Sequence, residues 1–253
     1  MVKLFKTVCF FGLIVACQQN KKIIFEDNFD GEKLNELHWN YQLGNGCPEL
    51  CGWGNNELQI YNKTNASVQD GHLIIKASKE DSIYYSSRLT TARKIEFQYG
   101  IIEVRAKLPT GVGVWPAIWM LGSDISEVGW PACGEIDIME YVGKKTGEIH
   151  NTLHTPDSFG QSKNTAITTI DDIEIGFHTY KAHWTKDFIK FYVDENLTYT
   201  FSPEVKNGKT WPYNKPHFLL LNLAIGGNFG GPEVDDSIFP QEFIIDYVKI
   251  YDL

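Results

Sequence analysis

Hydrophobic and polar residues alternate along much of the chain with a period of two, which is typical of β-strands. Residues 73–78 and 102–108 show the pattern most clearly, because apolar side chains occupy every second position in both segments. Successive side chains of a strand point to opposite faces, so each segment is predicted to bury one face and expose the other. Helical periodicity is almost absent from the rest of the chain.

Further strand signals come from the second half of the chain. Residues 189–193 and 197–201 alternate in the same way and flank Asp194-Glu195-Asn196, which predicts a hairpin with an irregular turn. Residues 218–225 are nearly all apolar, and we expect this strand to lie between two sheets. Residues 243–251 form the last predicted strand, which closes the domain.

The number and spacing of these segments predict an all-β fold. Many short strands, frequent glycine and proline turns and the absence of a βαβ rhythm favour an antiparallel sandwich or barrel. No proline-rich, serine-rich or single-charge segment divides the chain after residue 22. Residues 23–253 are therefore predicted to form one domain.

The first residues have the features of an export signal. Lys3 and Lys6 precede the apolar residues 8–15, which are too few to span a bilayer but suit a secretory signal. The sequence IVAC at residues 14–17 resembles the bacterial lipobox, in which the signal is cut before a cysteine that receives lipid. We predict a signal peptide at residues 1–16, lipidation of Cys17 and a tether at residues 17–22. The lipid would hold the protein at the bacterial cell envelope, on the outer membrane or cell surface, whereas a plain signal peptide would make it a secreted protein.

Charge and aromatic content narrow the class of ligand. The formal net charge of the 253 residues is -9 and no basic cluster offsets it, which argues against nucleic acid or an anionic membrane surface as a partner. The chain contains 7 Trp, 12 Tyr and 15 Phe, and several of these lie beside glycine or proline in predicted loops. Core packing accounts for most of them, but rings in loops also suit stacking on sugar-like ligands.

Three cysteines follow the predicted signal and Cys17, namely Cys47, Cys51 and Cys133. An odd number in an exported protein leaves at least one free thiol or an intermolecular bond. Cys47 and Cys51 could pair with each other, or either could pair with Cys133. Repeated C-x-x-C spacing is absent, so a zinc site that adds a histidine to these cysteines has little support.

Residues 134–140, with the sequence GEIDIME, carry the chemistry that the rest of the chain is expected to support. Glu135 and Asp137 share one face of a regular strand, whereas Glu140 has the opposite parity. All three acids can share a face only if the strand contains one extra residue, most simply a β-bulge near Ile138 or Met139. Bulges often lie next to active sites, and the sequence therefore predicts a row of three acids.

Such a row can cleave a glycosidic bond. One carboxylate must be ionised to attack or stabilise the anomeric carbon, and a second carboxyl must hold a proton for the leaving oxygen. A third acid between them helps to keep their pKa values apart, because like charges raise each other's pKa. A solvated edge or a cation site is the alternative for three acids in a strand. The strongly apolar intervening residues and the flanking tryptophans argue against it.

Four tryptophans lie near the acids in sequence or in a glycine-rich turn. Trp115 and Trp119 precede the acids, Trp130 leads into them through Pro131, and Trp53 lies in the turn at residues 51–54. One or two of these rings are expected in the core. The others, Trp130 among them, are predicted to be platforms for sugar rings.

Residues 135–140 match the bulged E-x-D-x-x-E signature of glycoside hydrolase family 16, and the chain resembles the laminarinase-like β-glucanase branch of that family. The resemblance runs over nearly the whole chain after the predicted signal. Its further segments are WGNNELQ at 53–59, YG at 99–100 with Glu103 and Arg105, GVWPAIW at 113–119, LNLAIGG at 221–227 and DYV at 246–248.

The resemblance implies a β-jelly roll of two stacked, curved antiparallel sheets whose concave face forms an open cleft. It implies that Glu135 is the nucleophile, that Glu140 is the general acid/base and that Asp137 assists between them. The matching cleft positions are Asn56, Arg88, Trp115, Trp119 and His154. The two cysteines before Trp53, and Cys133 before the nucleophile, are departures that leave fine substrate specificity open.

Members of the family need no cofactor for catalysis but often hold a structural calcium ion on the convex face, through backbone oxygens and one carboxylate. The matching places here are near Asn28, Gly71 and Asp246. Calcium prefers oxygen ligands, which suits such a set.

The function predicted from the resemblance is retaining endo-hydrolysis of internal β-1,3 bonds in laminarin-type glucan, by a monomer. The closest alternative is hydrolysis of mixed β-1,3/1,4-glucan. A surface protein that binds glucan without cutting it is an alternative of another class, and transglycosylation would use the same covalent intermediate.

Overall fold

A computed structural model describes residues 22–253 of the chain. The predicted signal peptide, Cys17 and the tether up to residue 21 lie outside the described residues. Within residues 22–253 no helix is both long and apolar enough to cross a membrane. The described chain is nearly all β-structure, arranged as two sheets that pack face to face and do not close into a barrel.

Ten strands form the sheet that we call the back sheet, in the order β16-β15-β14-β9-β18-β5-β6-β3, with β1 beside β18 and β4 beside β5. All of its neighbours are antiparallel except β3 and β6, which are parallel. The strands of the back sheet are β1 (Ile23–Asp27), β3 (Gln59–Tyr61), β4 (Ala66–Gln69), β5 (His72–Glu80), β6 (Ile83–Ser86), β9 (Gly100–Lys107), β14 (His178–Trp184), β15 (Ile189–Val193), β16 (Asn196–Phe201) and β18 (Gln241–Tyr251).

Eight strands form the second sheet, which we call the cleft sheet, in the order β13-β12-β11-β10-β17-β7-β2, with β8 beside β17. The strands of the cleft sheet are β2 (Asn40–Tyr41), β7 (Arg88–Thr90), β8 (Glu96–Phe97), β10 (Val114–Gly122), β11 (Glu135–Tyr141), β12 (Glu148–His154), β13 (Thr165–Thr169) and β17 (His217–Ile225). The helical elements are short, namely α1 (Ile125–Val128), α2 (Gly227–Gly230) and 3₁₀ turns at Cys51–Gly54 and Asp236–Ile238. The antiparallel jelly-roll sandwich predicted from the sequence is confirmed.

The main core lies between the two sheets and is formed by the alternate side chains that the sequence pattern identified. Leu73 and Ile75 of β5 and Ile102 and Val104 of β9 are fully buried there. Side chains from the cleft sheet, such as Ile136, meet them from the other side. Burial of each such side chain contributes about 1.5–3 kcal/mol, so this layer holds the two sheets together.

Strand β17 only partly follows its prediction. Leu219, Leu221 and Leu223 lie in the core between the sheets, but Phe218 and Leu220 lie on the opposite face of the strand. On that face they pack with Leu121 and Cys133 in a second apolar cluster, so it is also covered by side chains. A central strand with both faces covered has apolar residues at nearly every position. Its sequence therefore lacks the alternation that would show which side chains lie on which face.

Two further predictions concern the second half of the chain and the cysteines. Strands β15 and β16 form the predicted hairpin, with a register irregularity at Phe191 and Tyr192. Cys47 and Cys51 form a disulfide, and Cys133 is a free, buried thiol. Of the three pairings left open by the sequence, the structure therefore contains the local one.

Candidate active site

The three acids lie on β11, and a bulge brings them to one face. Opposite β10, Glu140 pairs with Ala117 and Asp137 pairs with Trp119, so four residues of β11 lie opposite three residues of β10. The register shifts at the same place opposite β12, between Asp137 and Glu140. Directly paired residues share a face, and Ala117 and Trp119 point the same way. The predicted bulge is confirmed, with Ile138 as the residue that has no partner in the β10 register.

Glu135 is fixed at the start of β11 by the groups around its carboxylate. The indole N–H of Trp130 donates to Glu135 Oε2 at 2.6 Å, and His154 Nε2 lies 3.7 Å from Oε1. Burial raises the pKa of Glu135 to about 8, the charge of Asp137 adds to the rise, and His154 and Trp130 oppose it. His154 and the Trp130 N–H are thus the groups that favour the ionised form of Glu135, which an attacking carboxylate requires.

Asp137 is the most deeply buried of the three acids. Its Oδ2 atom lies 3.2 Å from His154 Nε2 but has no hydrogen-bond partner among residues 22–253. Burial raises the pKa of Asp137, and a hydrogen bond with Glu135 partly offsets that rise. Burial and mutual repulsion thus oppose simultaneous ionisation of Asp137 and Glu135.

Glu140 has a different environment. The indole N–H of Trp115 donates to Glu140 Oε1 at 3.1 Å. Burial raises the pKa of Glu140 well above its ordinary range, and repulsion from Asp137 and Glu135 adds to the rise. A carboxyl that retains its proton near neutral pH can protonate a leaving oxygen. The environments of Glu135 and Glu140 thus suit the two different tasks of glycosidic cleavage.

The tryptophans near the acids divide into two groups. Trp130 is half exposed and meets the exposed Phe159 edge to face at 5.4 Å, so it presents an open aromatic surface beside Glu135. Trp115 is buried, and Phe229 covers it edge to face at 5.5 Å. Trp130 is therefore placed to stack on a sugar ring, whereas the clearest contact of Trp115 is its hydrogen bond to Glu140.

Arg88 and Trp119 form a stacked arrangement on the floor of the cleft. The Arg88 guanidinium lies between two indole rings, 4.5 Å from the centre of Trp53 and 4.8 Å from that of Trp119. The Arg88 Nε–H donates to Gln42 Oε1 at 2.6 Å. Cation–π contacts with these two rings stabilise the charge in a buried position. Arg88 is thus a buried residue and not a surface charge.

Asn56 lies in the loop between the 3₁₀ turn at Cys51–Gly54 and β3. It has a positive φ of 55° and its side-chain amide donates to Asn228 Oδ1 at 2.8 Å. A depression of about 470 Å³ opens there, between the turn that carries Asn56 and the segment around Gly227. A Cβ atom at Gly227 would approach the Trp115 ring to 3.4 Å, so this depression adjoins the Glu140 side of the acid row.

Several residues of this site were not predicted. Asn222 accepts the Trp119 indole N–H at 2.7 Å, and the Tyr213 hydroxyl donates to the backbone oxygen of His154 at 2.8 Å. The buried Glu57 carboxylate accepts from Gln59 at 2.7 Å, and burial raises its pKa. Asn222 is a single polar residue within an apolar run, which was a usable signal in the sequence. Tyr213 carried no such signal.

The predicted calcium set lies on the back sheet, away from the acids. The register of β1 and β5 against β18 brings the segments of Asn28, Gly71 and Asp246 together. However, the Asp246 carboxylate forms an ion pair with Arg105, and the Asn28 side chain bonds to Glu26. The one predicted carboxylate ligand is therefore already neutralised by a cation. Because the predicted set relies on backbone oxygens as well as this carboxylate, the calcium site stays a prediction.

Comparison with known proteins extends the similarity beyond the acid row. The sequence model of glycosyl hydrolases family 16 matches residues 54–247. The solved laminarinase from Flavobacterium sp. UMI-01 is 56% identical to the chain with a TM-score of 0.90, and the match covers 91% of this chain and 100% of that one. The endo-beta-1,3-glucanase from Pyrococcus furiosus is 40% identical with a TM-score of 0.88, covering 92% and 94% respectively.

A relative found by sequence supports the same similarity. The beta-glucanase of Rhodothermus marinus is 38% identical over 250 residues, which are 91% of this chain and 85% of the relative. The matches thus span both sheets and all residues of the acid row.

Proposed function

The chain belongs to glycosyl hydrolases family 16, and from this we infer that it is a retaining endo-hydrolase of internal β-1,3-glucosidic bonds in laminarin-type β-glucan. The observation that carries the proposal is the bulged acid row, in which Glu135 and Glu140 flank Asp137 on one face of β11. The names of the similar proteins, laminarinase and endo-beta-1,3-glucanase, support the β-1,3 linkage. The reaction uses no cofactor.

In the first step of the proposed mechanism the Glu135 carboxylate attacks the anomeric carbon of the sugar. The bond from that carbon to the glycosidic oxygen breaks, and Glu140 transfers its proton to the departing oxygen. The product is a glycosyl ester on Glu135 together with the released chain end. The indole N–H of Trp130 remains bonded to Glu135 Oε2 and keeps the carboxylate oriented.

In the second step Glu140, now ionised, removes a proton from water, and the resulting oxygen attacks the anomeric carbon. The ester bond breaks, Glu135 regains its carboxylate and Glu140 regains its proton. Two inversions give net retention. Asp137 assists because its own proton equilibrium with Glu135 adjusts as negative charge leaves and returns to that carboxylate.

The Glu135→Ser variant tests the assignment. Loss of the nucleophile should lower reducing-sugar release from laminarin by at least about 10⁴-fold, as removal of a catalytic nucleophile does elsewhere. Oligosaccharide binding should remain. Glu204→Ser, at an exposed glutamate in the loop after β16, is the matched control and should be fully active. Turnover by Glu135→Ser at the rate of the control would overturn the proposal.

Three further measurements define the reaction. Proton NMR of the first product should show the β-anomer, because retention is required; an α-anomer would exclude Glu135 as a nucleophile. Parallel digestion of laminarin and barley-type glucan should favour laminarin, and a preference for the mixed glucan would reassign the linkage. Products longer than the starting oligosaccharide would show transglycosylation.

We also propose that the protein acts as a monomer attached to the cell envelope through lipid on Cys17. The proposal rests on the sequence of residues 14–17. A Cys17→Ser variant should move from the membrane fraction to the soluble fraction after cell lysis. A variant that stays with the membrane would contradict the lipid anchor, and light scattering of the purified protein would test the monomer.

A further inference from the structure

Two residues of the acid row and a neighbouring histidine could together bind a metal ion. The proposed reaction does not need such an ion. Glu135, Asp137 and His154 each offer one ligand atom, and the three atoms lie within 4.8 Å of one another. Glu135 and His154 are direct cross-strand partners on β11 and β12. The backbone ladder therefore holds two of the three ligands at a fixed separation.

The separations between these atoms match a tetrahedral site. Zinc bonds to nitrogen and oxygen at about 2.0–2.1 Å, which places neighbouring ligand atoms of a tetrahedron about 3.3 Å apart. The His154 Nε2 atom lies 3.2 Å from Asp137 Oδ2 and 3.7 Å from Glu135 Oε1. The third separation, between the Glu135 and Asp137 oxygens, is at most 4.8 Å, and rotation of the two carboxylates would bring it to the tetrahedral value.

A second observation points to a ligand at this place. Asp137 is only 3% exposed, yet its Oδ2 atom, which faces His154, has no hydrogen-bond partner in the described part of the chain. A buried carboxylate oxygen that lies 3.2 Å from His154 Nε2 without a hydrogen bond is poorly stabilised, and a cation bound to both atoms would stabilise it. The Trp130 indole N–H already donates to the other oxygen of Glu135. Carboxylates that bind metals commonly accept such a hydrogen bond.

We propose that Glu135, Asp137 and His154 bind one divalent cation of the zinc type, and that this cation inhibits the enzyme by occupying the carboxylate that attacks the sugar. The imidazole nitrogen and the count of three ligands select Zn²⁺, Co²⁺ or Cu²⁺ over Ca²⁺, which takes six to eight oxygen ligands. The binding part does not depend on the proposed function. The inhibition part does, because it rests on the role of Glu135.

Binding is tested by calorimetric titration of the full chain with ZnCl₂. The wild type should bind one equivalent, and His154→Gln should bind at least about tenfold more weakly, because it loses a ligand. His178→Gln is the matched control. His178 also contacts a carboxylate, Asp194 at 3.0 Å, but on the back sheet away from the cleft. It should bind Zn²⁺ as the wild type does.

Two more measurements separate loss of the site from loss of the fold. Thermal unfolding of His154→Gln should remain cooperative, and Asp137→Asn, which keeps the side-chain shape, should also bind more weakly. With CoCl₂ the wild type should develop a visible absorption band that His154→Gln lacks. Wild type without saturable binding, or His154→Gln with unchanged affinity, would overturn the site.

Inhibition is measured separately with laminarin as substrate. Zn²⁺ should raise the apparent KM of the wild type and of His178→Gln without lowering kcat, and EDTA should reverse the effect. A fall in kcat at unchanged KM would show that the ion acts elsewhere. If the metal-free wild type does not hydrolyse laminarin, the proposed function fails, while the titration still decides whether the cation site exists.

Discussion

Replacing Glu135 with glutamine is expected to stabilise the folded protein at neutral and alkaline pH, although it removes the proposed nucleophile. Glutamine keeps the shape of the side chain and the oxygen that accepts the Trp130 N–H, but it cannot ionise. In the folded protein, burial and then the charge of Asp137 raise the pKa of Glu135 from 4.5 to about 8. Ionising Glu135 therefore costs more free energy in the folded protein than in the unfolded chain.

The sign and the size of the effect follow from proton binding. Between pH 4.5 and about 8 the folded state holds more protons at Glu135 than the unfolded state, so stability falls as pH rises through this window. Each pH unit within the window costs about 1.4 kcal/mol, which amounts to about 3 kcal/mol at pH 7. For a domain of this size, 3 kcal/mol corresponds to an increase in Tm of several degrees.

Urea unfolding of wild type and Glu135→Gln at a series of pH values measures this difference directly. The two proteins should be equally stable at pH 4.5, and the variant should gain progressively up to pH 8. Glu204→Gln, at an exposed position, is the control and should follow the wild type throughout. A variant that is no more stable than the wild type at pH 8, or an advantage independent of pH, would refute the reasoning.

Three other predictions concern the surroundings of the site. Trp115→Phe removes a hydrogen bond that lowers the pKa of Glu140, so that pKa should rise and the alkaline limb of the kcat/KM profile should move to higher pH; an unmoved limb would contradict the contact. Replacing both Cys47 and Cys51 with serine opens a very short loop and should cost no more than about 2 kcal/mol in urea unfolding, whereas a larger loss would give the disulfide a wider structural role. The predicted calcium set at Asn28, Gly71 and Asp246 should make calcium raise Tm by several degrees relative to EDTA, and an unchanged Tm would show that the ion pair with Arg105 keeps the Asp246 carboxylate from the ion.

Much of the fold was accessible from the sequence because its signal is local. The alternation at residues 73–78 and 102–108 identified strands β5 and β9 and their buried faces correctly. The parity of Glu140 predicted a bulge, since a period of two is a property of neighbouring residues alone. The strand at residues 218–225 shows the limit of this local signal. Apolar side chains cover both of its faces, so its residues do not alternate between apolar and polar.

The roles of individual cleft residues depended on partners far away in the chain. Trp115 and Trp119 look alike in sequence, but tertiary contacts give one a bond to Glu140 and the other a bond to Asn222, 103 residues away. His154 meets Asp137 only because β12 pairs with β11 in one register.

The sequence by itself thus determined the strands, the three acids and the need for an extra residue between them, because each of these depends only on residues that are neighbours in the chain. Only the tertiary structure decided that Ile138 is the extra residue, that Arg88 lies between two indole rings, and that Asp137 Oδ2 is buried without a hydrogen bond. These features arise where strands distant in sequence meet. Their register is set by packing of the whole sandwich, which no single segment specifies.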